Sequence, residues 1–213
     1  MDDAGDALCP SDLLNAAVEQ FHGDEEGGLS QLSALLESWP FDPRLHFLQG
    51  SVLAGLQRYD EGRRAMARAV EIAPDYALAR FQLGFLDLTS GRPRDAIAVW
   101  TPLMGLAPDD PFRLFAEGLA NMIGDRVPAA RELLRRGIAR NPEHPLVNAH
   151  VQLILDEMDG LGDRDRVMPP AGESPESVPP PPPREEGAHG SPASAVDLLL
   201  RQARFRDGGN TRH

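Results

Sequence analysis

Residues 77–110 read ALARFQLGFLDLTSGRPRDAIAVWTPLMGLAPDD, and this stretch decides the fold because its landmarks return on both sides of it. Its closing proline, Pro108, stands 34 residues after Pro74 and 34 before Pro142, and Pro40 continues the series. Gly84 has counterparts at the same interval in Gly50 and Gly118. A period of this length accommodates one helix–turn–helix unit, which buries its apolar faces only by stacking on copies of itself. The periodic proline ends each second helix, since it has no N–H to donate and its ring clashes with the preceding turn. Pro93 suits the first turn of a helix, where the missing donor costs nothing.

Three units follow one another, at 43–76, 77–110 and 111–144. Each first helix carries its glycine where two helices must approach closely. The second helices carry a small residue at Gly62, Ala96 and Ala130 and a larger apolar one four places on, at Met66, Trp100 and Leu134. Gln57-Arg58-Tyr59, Gly91-Arg92-Pro93 and Asp125-Arg126-Val127 form the turns. This arrangement resembles the tetratricopeptide repeat, whose pattern is W-x2-L-G-x2-Y, then A-x3-F, then P. Leu83-Gly84, Ala96, Trp100 and Pro108 follow it, as do Gly118, Ala130 and Pro142, and Gly50 and Pro74. His46, Arg80 and Leu114 stand at the tryptophan place, and Leu53, Asp87 and Asn121 at the tyrosine place. The resemblance implies an all-α helix–turn–helix solenoid.

Around these units the chain divides further. Residues 1–10 read as a disordered acidic N-terminus. Residues 11–42 read as a degenerate repeat serving as N-terminal cap, with Ala16 at the glycine place. The repeat domain runs from 43 to 158, its last part, 145–158, a capping helix. Residues 159–192 read as a disordered linker, because nine prolines fall between Met168 and Pro192. Residues 193–206 read as an amphipathic terminal helix, with Ser194 and Asp197 as its capping arrangement, and 207–213 as disordered. Pro102, inside the second helix of unit 77–110, predicts either a kink or a bend near the helix end.

Composition narrows the function. The net charge is −12, all 21 basic residues are arginine, and ten carboxylates precede the first of them, Arg44. That balance argues against nucleic acid and anionic membrane as partners, and the acidic end reads as a solvated surface or a dock for a basic partner. The single cysteine, Cys9, offers neither a disulfide nor a metal pair and reads as a bystander in the tail. With no leader-like opening and no apolar run long enough to span a bilayer, the expectation is a cytoplasmic protein. The uniform use of arginine points to a bacterial source. No phosphate loop or nucleophile elbow occurs, the six histidines are scattered, and the Asp163-x-Asp165 start of a calcium loop lacks its later ligands. No catalytic residues, metal or cofactor are expected.

In the tetratricopeptide family the first helices line a concave face. The resemblance therefore implies a partner-binding groove of Phe47, Ser51, Leu78, Phe81, Phe85, Leu88, Phe112, Phe115, Leu119, Met122 and Leu153, a row without the lysines of a carboxylate clamp. Each phenylalanine is either groove or inter-repeat core, since the i, i+4 spacing is the same for both. Leu199, Leu200 and Phe205 of the terminal helix are candidates to dock in such a groove, of this chain or of a second copy, so self-association through that helix is possible. These features imply a non-catalytic adaptor or scaffold that holds a peptide or helical segment of another protein. A chaperone of type III secretion translocators and a self-assembling structural protein are the alternatives.

Overall fold

The computed structural model describes residues 8–21 and 25–166. Among them the chain is all-α, in pairwise-packed helices: α1 (Ser11–Phe21), α2 (Glu25–Ser38), α3 (Pro43–Gly55), α4 (Tyr59–Ile72), α5 (Ala77–Thr89), α6 (Pro93–Trp100), α7 (Pro111–Ile123), α8 (Val127–Arg140) and α9 (Pro145–Arg166). Two compact units divide the chain, one running through Ala116 and the other beginning at Glu117. The expected terminal helix 193–206, with Leu199, Leu200 and Phe205, lies outside the described residues, as do 1–7 and the linker beyond 166.

The periodic glycines set the distance between paired helices. A Cβ on Gly50 would stand 2.9 Å from the Gly62 carbonyl oxygen on α4, so the backbones leave no room for one. On Gly84 it would lie 2.6 Å from Trp100 Cδ1, and on Gly118 2.7 Å from Leu134 Cδ2. The large residue of each second helix thus lies over the glycine of the first, and the small residue one turn earlier lets the two axes close. Around these pairs the first unit builds two apolar clusters. One joins Cys9, Ala17, Leu32, Leu35 and Leu45; the other joins Met66, Leu83 and Leu86. In the second unit Val147, Val151, Ile154, Leu155 and Met158 are the buried side of α9, and Arg131 and Arg135 of α8 pair with Asp159 at 3.1 and 2.9 Å.

The turns within the hairpins share one geometry. Gln57, Gly91 and Asp125, spaced by 34, all take left-handed backbone, with φ of 63°, 79° and 55°. The following arginine N–H donates back to the carbonyl five residues earlier: Arg58 to Leu53 at 2.8 Å, Arg92 to Asp87 at 2.8 Å, and Arg126 to Asn121 at 2.9 Å. These are the 6→1 bonds of a helix C-terminal cap that turns through αL. A non-glycine residue costs about 1–2 kcal/mol there, against about 0.5–1 kcal/mol for the lost chain entropy of glycine. Gln57→Gly is therefore expected to stabilise the chain by about 0.5 kcal/mol, raising its thermal midpoint by a degree or two. A midpoint that falls would remove the αL strain from the account.

Three boundaries differ from the sequence expectation. Pro102 ends α6: that helix has eight residues where α4 and α8 have 14, and a 3₁₀ segment, Thr101–Gly105, carries the chain onward. Without an N–H, Pro102 cannot bond the Ala98 carbonyl, and the chain tightens rather than kinks. The capping helix does not stop at 158 but continues to Arg166, so the segment assigned to the linker from 159 begins inside α9. No proline interrupts it, and the Asp159 ion pairs hold its line against α8. At the other end, residues 8–10 are not a disordered tail. Cys9 is buried beneath α1 and α2, for reasons set by the cap of α3.

Candidate partner-binding face

Asp42 caps α3, its buried carboxylate accepting from the Arg44 N–H at 2.9 Å, just before the helix-opening Pro43. The same carboxylate accepts from Arg44 Nη2 at 2.7 Å and from the Cys9 N–H at 2.8 Å, while Arg44 Nη2 donates to the Cys9 carbonyl at 2.6 Å. Both backbone groups of Cys9 are thereby held by one ion pair. Burial would push the Asp42 carboxyl upward, but the hydrogen bonds from Arg44 and Cys9 outweigh it and hold it below the ordinary range. Burial raises the Cys9 thiol, and Asp42 adds to it against the opposing pull of Arg44, so this cysteine is a protected core residue and not a reactive one.

Four of the six residues that depart from the repeat pattern, His46, Arg80, Asp87 and Asn121, form polar ties. At the tryptophan place, His46 Nε2 sits 2.9 Å from the Pro40 carbonyl, and Arg80 Nη2 donates to the Pro74 carbonyl at 2.8 Å. Each fastens the proline that ends the preceding unit to the helix that opens the next. At the tyrosine place, buried Asp87 accepts from Arg63 Nε at 2.7 Å and from Arg92 Nε at 2.9 Å, while Asn121 accepts from Arg126 Nε at 2.6 Å. The arginine that recurs after each αL residue is therefore part of the scaffold. Among the described residues, no three or more His, Cys, Asp or Glu side chains are grouped to hold a metal.

Against this scaffold the eleven groove candidates separate. Phe81 is 1% exposed; its ring packs between Trp100 at 6.1 Å, Phe112 at 5.9 Å and Phe115 at 5.5 Å between centroids. Leu88, Phe112, Phe115, Leu119 and Met122 are buried as well. For these six, the expected apolar trough is corrected: they are buried, and they are packing residues. Phe47, Ser51, Leu78 and Phe85 remain half-buried, and Leu153 on α9 is 60% exposed.

On α3 and α5 the half-buried residues make an apolar face. Phe47 meets the edge of Tyr76 at 5.5 Å and 62°. Burial raises the Tyr76 hydroxyl above its ordinary value, with Arg44 pulling the other way, so it stays protonated throughout the neutral range. Ser51 Oγ donates to the Phe47 carbonyl at 2.9 Å and Thr89 Oγ1 to the Phe85 carbonyl at 3.0 Å. Turning those hydroxyls back onto their own helices leaves carbon outward.

Helical hairpins repeated at 34 residues, with apolar residues on the first helices, define a helical-repeat fold. A family model described as tetratricopeptide repeat matches residues 14–77, beginning within α1 and taking in the pair whose glycine place holds Ala16. Over residues 14–77 the chain therefore carries tetratricopeptide repeats. Among solved structures it is similar to MamA (residue 41 to the end) from Desulfovibrio magneticus RS-1, at 15% identity and a TM-score of 0.53, covering 100% of this chain and 99% of that one. A double mutant of MamA RS-1, designated ArsTM, is similar at 15% identity and a TM-score of 0.52, covering 99% of each chain. At such identity the likeness is one of fold. No curated protein matches the chain significantly. Among the described residues, no helix is long and apolar enough to cross a membrane.

Proposed function

We propose that the chain is a non-catalytic bacterial adaptor or scaffold, working in the cytoplasm, that holds the apolar side of a partner protein segment against α3 and α5. The observation that carries this is the partly open face of Phe47, Ser51, Leu78 and Phe85, beside which the Ser51 and Thr89 hydroxyls bond back to their own helices. Helix-in-groove recognition uses apolar anchors at helical spacing, and an aromatic face of this kind receives them. The net charge of −12 opposes a nucleic acid in the same role.

Phe85→Asp is expected to weaken partner binding by roughly 10- to 100-fold, the equivalent of burying one aromatic side chain at about 1.5–3 kcal/mol. Because Phe85 also stacks on Phe81, at 6.1 Å between centroids, the melting of each variant is measured alongside its binding. Ile97→Asp, on exposed surface of α6, serves as the matched control and should bind as wild type does. Equal binding by the two variants, both folded, would remove α5 from the interface.

A further inference from the structure

On α9, Leu146 is 78% exposed and Leu153 is 60% exposed, the two most exposed large apolar side chains among the described residues. With Ala149, also exposed, they stand at i, i+3 and i+7 and mark one stripe of the helix, opposite the buried Val147, Val151, Ile154 and Leu155. The 34-residue offset maps Leu146 onto Phe112 and Leu153 onto Leu119, both buried on α7. On α9 the same register positions stay apolar but lie open. Glu143 and Asp156, both exposed, flank the stripe.

We propose that the occupant of this stripe is segment 193–206 of the same molecule. The inference extends the partner-binding reading by naming what covers its row on α9. Val196, Leu199, Leu200 and Ala203 repeat the i, i+3, i+4, i+7 spacing, so two apolar stripes of equal length, two helical turns each, can be laid together. Charge matches too. Residues 193–213 hold Arg201, Arg204, Arg206 and Arg212 against Asp197 and Asp207, a net of +2 in a chain of −12, so the remainder carries −14.

Chain length favours the intramolecular partner. Residues 167–192 form a connection of 26 residues; a flexible chain of that length spans about 30 Å, and nine prolines extend that reach. Along α9, Leu153 lies about 20 Å back from Arg166 and Leu146 about 30 Å, at 1.5 Å per residue. A tether whose mean span equals the distance to be bridged gives the highest effective concentration, in the millimolar range. A second copy would have to compete with that.

The test is an oxidative cross-link in the full chain carrying Cys9→Ala, Leu153→Cys and Leu199→Cys, with Arg201→Cys replacing Leu199→Cys as control, since position 201 falls outside the 196, 199, 200, 203 spacing. An intrachain disulfide formed about tenfold faster than in the control is expected from a docked helix. A covalent dimer would overturn the proposal in favour of a second copy, and equal rates in both variants would overturn docking altogether. An independent reading uses the chain with its native cysteine. Leu153→Asp should speed tryptic cleavage at Arg201 and Arg204 about tenfold by exposing the segment, and an unchanged rate would contradict the proposal. Neither measurement involves an external partner, so both are separate from whether α3 and α5 bind one.

Discussion

Trp100→Ala lowers the stability of the first unit by about 4 kcal/mol, a fall in thermal midpoint of about 15 °C. Trp100 is the largest fully buried side chain; it fills the space over Gly84, stacks against Phe81 and donates from Nε1 to the Phe81 carbonyl at 3.0 Å. Removing it opens a cavity and takes away that carbonyl's bond from outside the helix. Gly84→Ala alone also destabilises, by about 2 kcal/mol, because its Cβ would intrude on the indole. Combined with Trp100→Ala, the same methyl enters the vacated space, and the added cost of Gly84→Ala should nearly vanish. Thermal or urea unfolding of the four variants closes the cycle. Strict additivity would mean that the glycine and the tryptophan do not share a contact.

Asp42→Ala is the second large effect, about 3 kcal/mol, because one buried carboxylate serves as helix cap, partner of Arg44 and acceptor for the Cys9 N–H. Its loss frees the entry segment around Cys9 from the α2–α3 junction. The acid dependence has a definite sign. The folded carboxyl is held below its ordinary value, so its contribution is complete above the unfolded value of about 3.9 and is lost as pH falls from there through the folded value. The stability gap between wild type and Asp42→Asn should therefore be constant above about pH 5 and shrink below about pH 4. A gap that ignores pH over that range would show that the ion pair does not support the fold.

The architecture was legible wherever a repeated contact demanded a repeated residue. Gly50, Gly84 and Gly118 face large second-helix residues, and that requirement recurs every 34 positions whatever lies around it. Of the three left-handed turns, Gly91 carries the local signal, while Gln57 and Asp125 reach the same φ without glycine because the cap's hydrogen bonds hold them there. The candidate site was harder to read. The i, i+4 spacing of Phe81 and Phe85 fits core and groove alike, and what closes over Phe81 is Phe112 and Phe115, more than 30 residues further along the chain. Phe47, whose ring meets the edge of Tyr76, stays half open. Cys9 and the end of α9 were misjudged for a related reason. Their order depends on Asp42 and Arg44 in one case and on Arg131 and Arg135 in the other, charges distant in sequence that no local pattern announces.

The most direct test of the account is photo-cross-linking in the source cell, with p-benzoylphenylalanine placed singly at Phe85, at Phe47 and, as control, at exposed Ile97. Binding of a partner segment on the α3–α5 face predicts the same discrete heavier adduct from positions 47 and 85 and none from position 97. Adducts of equal yield from all three positions, or from position 97 alone, would contradict it.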